Sequence, residues 1–114
     1  MTAGKYNLII DQGSDFGHIF TINQNVNGVK TPRDLSGWQA RASMRPTFES
    51  TTSHDFDCVV IKPELAGKIK MSLPAARSTN IEAGIYQYDL EIYKASNVTR
   101  ILQGVVTLTR EVTR

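Results

Sequence analysis

The 114-residue sequence contains only one cysteine, Cys58. A single thiol cannot form an intrachain disulfide or supply either of the cysteine-rich zinc patterns. The titratable residues fall into no recognised catalytic spacing, and the sequence has no GxSxG, GxGxxG or Walker motif. We therefore predict no enzymatic activity, no catalytic residue, no cofactor and no metal site.

Long hydrophobic runs and a strong charge imbalance are missing as well. No stretch approaches the length of a transmembrane helix, and the opening MTAGKYNLIIDQGSD lacks the apolar centre of a secretory signal. Thirteen basic and eleven acidic residues give a net charge of +2, which is too small to indicate a dedicated binder of nucleic acid or of anionic membranes. We expect neither partner, and we expect synthesis in the cytoplasm.

Most of the chain instead alternates apolar and polar residues with the period of half-buried strands. The clearest run starts at Trp38, whose ring we expect to contribute most to apolar burial, and ends before Pro46. The run FDCVVI suggests a strand that is buried on both faces or wraps an edge. Predicted strands cover residues 6–10, 16–22, 38–45, 56–61, 67–73, 86–92 and 98–109. One short helix is predicted at 74–80, a turn at 24–28 and an irregular connection at 29–34.

Seven strands with short connections leave no room for the crossover helices of a parallel sheet. We therefore predict a single all-β domain spanning residues 1–114, an antiparallel β-sandwich of the immunoglobulin-like or Greek-key type. A small closed barrel is the alternative, because the alternation pattern alone separates the two poorly.

The last two strands should form a long antiparallel hairpin, joined by the polar residues 94–97. The final run is longer than a usual strand, so we predict that part of it projects past the sheet or pairs with another chain. Gly104 interrupts its alternation. We predict a bulge or bend at this residue.

Several titratable residues were weighed as sites. His18 lies on an apolar strand face, which favours a half-buried, hydrogen-bonded imidazole over a ligand or base. His54, Asp55 and Asp57 resemble a metal cluster, but adjacent strand residues point to opposite faces, which favours a solvated loop. Cys58 sits in an apolar run and should behave as a small buried hydrophobe rather than a nucleophile.

The four tyrosines suggest a comparison with carbohydrate recognition. Tyr6, Tyr86 and Tyr88 share the strand parity assigned to the core, and only Tyr93 takes the opposite parity. A carbohydrate-binding or host-surface adhesion module that uses Tyr93 and the loop at 47–55 is therefore the alternative function.

Other polar residues leave their roles open. Arg41 and Arg45, on the polar face of their strand, could bind an acidic partner or remain hydrated. Asn97 begins the sequon Asn-Val-Thr, and we predict that it completes a hairpin turn rather than carries a glycan.

Three segments carry a resemblance to a known family. They are the opening YNLIIDQGSDF at 6–16, DLSGWQARASMRP at 34–46, and AGIYQYDLEIYKASNVTRILQGVVTLTREVTR at 83–114. In these segments the chain resembles small virion structural proteins of tailed bacteriophages, in particular those of cyanophages. The departures fall at 26–33 and 47–64, where loops would vary in length.

This resemblance implies a non-enzymatic part of the virion, associated with the tail or baseplate, that has an immunoglobulin-like fold. It also implies that the partners are other virion proteins or further copies of the chain in a homo-oligomer. It carries over no catalytic residue. The absence of site motifs in the sequence agrees with this expectation.

Overall fold

The structure is a computed structural model, and it describes residues 4–47, 50 and 52–110. These residues form ten strands, a single-turn α-helix and a 3₁₀ helix. The strands are β1 (Gly4–Lys5), β2 (Leu8–Asp11), β3 (Phe16–Thr21), β4 (Asn23–Val26), β5 (Val29–Pro32), β6 (Gln39–Arg45), β7 (His54–Val60), β8 (Lys68–Leu73), β9 (Gly84–Lys94) and β10 (Asn97–Thr109). The 3₁₀ helix is Glu64–Ala66 and α1 is Ala75–Ser78. The all-β prediction is confirmed.

Eight strands belong to one curled sheet in the order β1-β10-β9-β6-β7-β8-β3, with β2 also paired to β10. The remaining two, β4 and β5, form a separate antiparallel hairpin. The long predicted hairpin is β9–β10, joined by a tight turn in which Ala95 has φ 52°.

The prediction of a purely antiparallel sheet is wrong. Both N-terminal strands pair in parallel with the C-terminal strand β10, with Gly4 opposite Leu102 and Leu8 opposite Val106. Parallel neighbours normally require a crossover connection. Here the two strands come from opposite ends of the chain, so the rest of the domain is the connection and no crossover helix is needed.

The pairing of β7 determines how the sheet curls. Its first half pairs with β6, and its second half, from Asp57 to Val60, pairs with β8. The ends of the sheet approach each other, since the Tyr6 ring centre lies 5.3 Å from that of His18 and 5.4 Å from that of Phe20. Hydrogen bonds thus join the eight strands into one sheet, and the predicted two-sheet sandwich is not confirmed.

The inner face of the curled sheet holds the core. Fully buried side chains come from strands on the β6 side of β7 and from strands on its β8 side, so both halves of the sheet contribute. They include Ile10, Met44, Ile69, Met71, Leu73, Leu90, Ile92, Val106 and Leu108. Trp38 lies immediately before β6 and is half-buried, with the Arg33 guanidinium 5.4 Å from its ring centre. In the FDCVVI run, the prediction of burial on both faces is wrong because Val59 is exposed.

A turn and the short helix close one end of the sheet. The fully buried Ser78 hydroxyl accepts a hydrogen bond from the Gly13 amide at 3.0 Å, and Asp15 Oδ1 accepts one from the Ala75 amide at 2.8 Å. These bonds fix the turn between β2 and β3 against α1, which confirms the predicted short helix. Among the described residues, no helix is long and apolar enough to cross a membrane.

The C-terminal strand β10 was predicted to project past the sheet or to pair with another chain. The projection is wrong, because β10 pairs with β9 from Asn97 to Leu108. From Leu102 onward it also pairs with β1 and β2, whereas in the described structure residues 97–101 pair with β9 alone, and pairing with another chain stays a prediction. The register shift in its pairing with β9 lies between Arg100 and Leu102, while Gly104 pairs regularly with Tyr88. The predicted bulge at Gly104 is therefore misplaced.

Gly104 is needed because the N-terminal chain crosses directly over it. A β-carbon at this position would overlap the Tyr6 carbonyl oxygen and lie 2.9 Å from the carbonyl carbon. The same carbonyl oxygen accepts a hydrogen bond from the Tyr88 hydroxyl at 2.5 Å. Gly104 thus marks the place where the segment between β1 and β2 passes over β10, and not a bulge in β10 itself.

The hairpin β4–β5 was only partly predicted. A turn was predicted at 24–28, but 24–26 belong to β4 and the turn itself is Asn27 and Gly28. Both residues have positive φ, 53° and 81°, as in the Asn-Gly turns of two-residue hairpins. Residues 29–32 were predicted to be irregular, yet Val29–Pro32 is a strand. Pro32 is tolerated because β5 is an edge strand.

Candidate functional site

The outer face of the sheet carries an apolar cluster on three adjacent strands. Ile9 of β2 lies opposite Thr107 of β10, which in turn lies opposite Ile85 of β9. Ile9 is 73% exposed and Ile85 is 67% exposed, and the exposed Val105 precedes Thr107 on the same face of β10. We call these four residues the isoleucine patch. All four are β-branched, so their side chains are stiff at χ1.

A contrasting charged region lies farther along the same outer face. Arg41 of β6 pairs with Glu91 of β9 at 3.0 Å, and Arg100 of β10 pairs with Asp89 of β9 at 3.3 Å. We call these four residues the charged ladder. Partial burial, together with Glu91, raises the pKa of Asp89, while the nearby arginines act in the opposite direction. The outer face is thus divided into an apolar part and a charged part.

The two arginines considered in the sequence are both engaged within the chain. Arg41, besides its ion pair, lies with its guanidinium carbon 4.9 Å from the ring centre of Tyr93. Arg45 donates from Nη1 to the carbonyl oxygen of Ser50 at 2.7 Å. Both arginines therefore make contacts within the chain, and these contacts account for their positions without an acidic partner.

Tyr93 is placed poorly for the alternative carbohydrate site. Arg41 covers its ring, and its hydroxyl donates to Gln39 Oε1 at 2.8 Å. Tyr93 also pairs with Gln39 at one end of β6, whereas the loop at 47–55 follows the other end, about 20 Å away at roughly 3.3 Å per residue. Residues 48, 49 and 51 of that loop lie outside the described part of the chain.

The other tyrosines follow the predicted parity with one exception. Tyr86 and Tyr88 are buried, as predicted. Burial is also the main reason why the pKa of Tyr88 rises to about 12. Tyr6 was assigned to the core but is 43% exposed, because it lies between β1 and β2 rather than within a strand.

The two histidines occupy aromatic surroundings. His18 is half-buried, as predicted, and its ring centre lies 4.5 Å from that of Phe20. His54 is the first residue of β7 rather than part of a loop, and its ring meets the Tyr86 ring edge-on at 5.8 Å. No group of three or more potential metal-ligating side chains occurs in the described part of the chain.

Cys58 is half-buried and packs against the core. Burial, with a smaller contribution from Asp57, raises the pKa of its thiol to about 11. The thiolate that would act as a nucleophile is therefore disfavoured at neutral pH. This environment supports the prediction that Cys58 acts as a small hydrophobe.

A cleft opens where β7 leaves β6. The ladder between these strands covers only Ala42 to Met44 of β6, so in the described structure residues 39–41 have no ladder partner on this side. The cleft has a volume of about 260 Å³. It reaches from polar side chains of the outer face to apolar side chains below. Its lining comprises Ala40, Arg41, Ala42, Ser43, Asp55, Phe56, Asp89 and Glu91.

Sequence reasoning missed both the isoleucine patch and the cleft. For Ile85 a signal existed, since the core parity of Tyr86 and Tyr88 places it on the opposite face. The clustering with Ile9 depends on the parallel pairing of the chain ends, which local periodicity does not encode. The cleft depends on the change of partner within β7.

Comparison of the chain with protein-family models and with curated protein sequences gives no match.

Proposed function

We propose that this protein is a non-enzymatic structural component of a tailed-bacteriophage virion, in the tail or baseplate, that acts by assembly with copies of itself or with neighbouring virion proteins. The sequence resemblance at 6–16, 34–46 and 83–114 supports the class of protein. We also propose that the fold is an immunoglobulin-like variant. The division of β7 between β6 and β8 supports this, because it separates the strands into two groups.

The isoleucine patch is the observation that carries the assembly role. Two isoleucines that are 73% and 67% exposed lie across a single intervening strand, with no charged side chain between them in the register. By contrast, the exposed Ile19 and Val59 on the other half of the sheet are separated by Lys70. Contiguous exposed apolar surface is typical of protein contact sites. We therefore assign the patch to a subunit interface.

The test is association of the purified full chain, alone and mixed with the proteins encoded by adjacent genes. Multi-angle light scattering should show a complex for wild type, and Ile85→Lys should weaken it by about tenfold or more, since it buries a charge. Folding should be retained because Ile85 is largely exposed.

Leu65→Lys provides a matched control. Leu65 is 66% exposed and lies in the 3₁₀ helix rather than on β2, β9 or β10. Wild-type protein that stays monomeric and binds none of these partners would overturn the proposal. If Ile85→Lys and Leu65→Lys weaken association equally, the isoleucine patch is not the subunit interface.

A further inference from the structure

The hairpin Asn23–Pro32, which we call the arm, has two unpaired edges. Within the described structure β4 and β5 pair only with each other, and their described side chains are exposed except for the half-buried Thr31. An isolated two-stranded hairpin is only marginally stable in water. Pro32 removes one donor from the β5 edge, which leaves β4 as the more complete edge for another strand.

The base of the arm is fixed to the body by backbone contacts. The Ile22 amide donates to the Gly67 carbonyl at 2.6 Å, and the Arg33 amide donates to the Ile22 carbonyl at 2.8 Å. Gly67 has φ 67°, and a β-carbon there would lie 2.6 Å from the Ile22 carbonyl oxygen. The arm thus leaves the body at a tightly packed point, so its direction is set by the fold.

The cleft between β6 and β7 presents the complementary features. Residues 39–41 of β6 offer an unpaired backbone edge. The small Ala40 and Ala42 line the cleft and leave room for another chain. Three carboxylates and one arginine also line it, and two of the carboxylates are already paired, Glu91 with Arg41 and Asp89 with Arg100. Of these carboxylates, Asp55 is exposed and takes part in none of the salt bridges described in the chain.

We propose that the arm of one copy docks in the β6–β7 cleft of a second copy, adding a strand to the free edge of β6. Lys30 is the only charged residue within 23–32, so the arm carries one positive charge that complements the carboxylate of Asp55 in the cleft. Four residues of β4 span about 13 Å, and the unpaired stretch of β6 spans about 10 Å. Strand addition of this kind gains affinity from backbone hydrogen bonds and specificity from side chains.

This contact deepens the proposed assembly function and rests on it. Because the arm and the cleft are different surfaces, reciprocal docking of two copies would close a dimer, whereas one-way docking would produce a ring or a filament. The isoleucine patch remains available for a different neighbour.

Sedimentation velocity of the full chain tests the contact by charge reversal. Lys30→Glu and Asp55→Lys should each weaken self-association about tenfold, and combining them should restore most of the loss. Replacing residues 24–31 by Asn-Gly, which shortens the arm, should abolish self-association. Lys70→Glu and Glu82→Lys, reversals of exposed residues elsewhere, are the matched controls and should have little effect. Circular dichroism should show unchanged folding in all variants.

Two results would overturn the arm contact while leaving the proposed function intact. One is a wild-type chain that is monomeric alone but binds neighbouring virion proteins. The other is self-association that the arm and cleft substitutions change no more than their controls. Failure to bind any partner would overturn both proposals.

Discussion

Substitution of Gly104 by alanine tests how the two ends of the chain are held together. The added β-carbon would meet backbone atoms of Tyr6 and would lie 3.1 Å from Asn7 Oδ1. Backbone atoms cannot move aside as a flexible side chain would, so the segment between β1 and β2 must shift away from β10.

Three hydrogen bonds depend on the position of that segment. The Tyr6 amide donates to the Gln103 carbonyl at 3.0 Å, the Tyr88 hydroxyl donates to the Tyr6 carbonyl at 2.5 Å, and the Val105 amide donates to Asn7 Oδ1 at 3.1 Å. At about 0.5–1.5 kcal/mol each, their loss should lower the free energy of unfolding by about 2–4 kcal/mol.

Urea denaturation followed by tryptophan fluorescence measures this loss. With a slope of about 1.5 kcal/mol per molar urea, the unfolding midpoint of Gly104→Ala should fall by about 2 M. Gly17→Ala is the matched control, because its β-carbon would meet only the Lys70 side chain, at 3.6 Å. It should leave the midpoint unchanged or raise it slightly. A Gly104→Ala midpoint close to that of Gly17→Ala would refute the close approach of the chain ends.

Three further predictions concern burial. Ser78→Ala should destabilise the fold by about 1–2 kcal/mol in the same urea assay, because the Gly13 amide loses its acceptor; no change would contradict the docking of the turn on α1. Alkylation of Cys58 by iodoacetamide should be slow at neutral pH and should accelerate toward pH 11, because the pKa of the thiol is raised from 9.0 to about 11 in the folded protein. The neutral thiol should therefore contribute to stability below pH 9, and this contribution should decline above pH 9. Rapid alkylation of native protein at neutral pH would contradict this burial. Removal of residues 105–114 should abolish cooperative unfolding in circular dichroism, because it deletes two buried core side chains of β10; a folded product would show that β10 is dispensable.

The local pattern of the sequence was sufficient to predict six strands closely, the β9–β10 hairpin and the short helix. The first predicted strand, 6–10, matches only β2, since Tyr6 and Asn7 lie outside the strands, and β4 and β5 were missed. In β9, for example, the alternation places Tyr86, Tyr88 and Leu90 in the core, as observed. Such periodicity depends only on which face is buried, so it can be read from nearby residues.

Long-range pairing could not be predicted in the same way. The parallel contacts of β1 and β2 with β10 join residues about a hundred positions apart, and no local pattern specifies them. Gly104 gave a partial signal, because its missing side chain indicated a special position. It did not indicate that the N-terminal segment at Tyr6 would occupy the space beside its α-carbon.

The interaction surfaces were even less accessible to sequence reasoning. Ile9 and Ile85 look like ordinary outward-facing residues until β10 brings their strands together. Asp55 was interpreted with His54 as part of a solvated loop, yet both lie in β7, and Asp55 lines the cleft formed by the divergence of β7 from β6.

The most direct test of the assembly role is quantitative mass spectrometry of phage particles purified on a density gradient from the host that expresses this chain. We predict that its peptides follow the particle peak in a constant ratio to the other structural proteins in every fraction. Recovery of the chain only among the soluble proteins at the top of the gradient would contradict the proposed function.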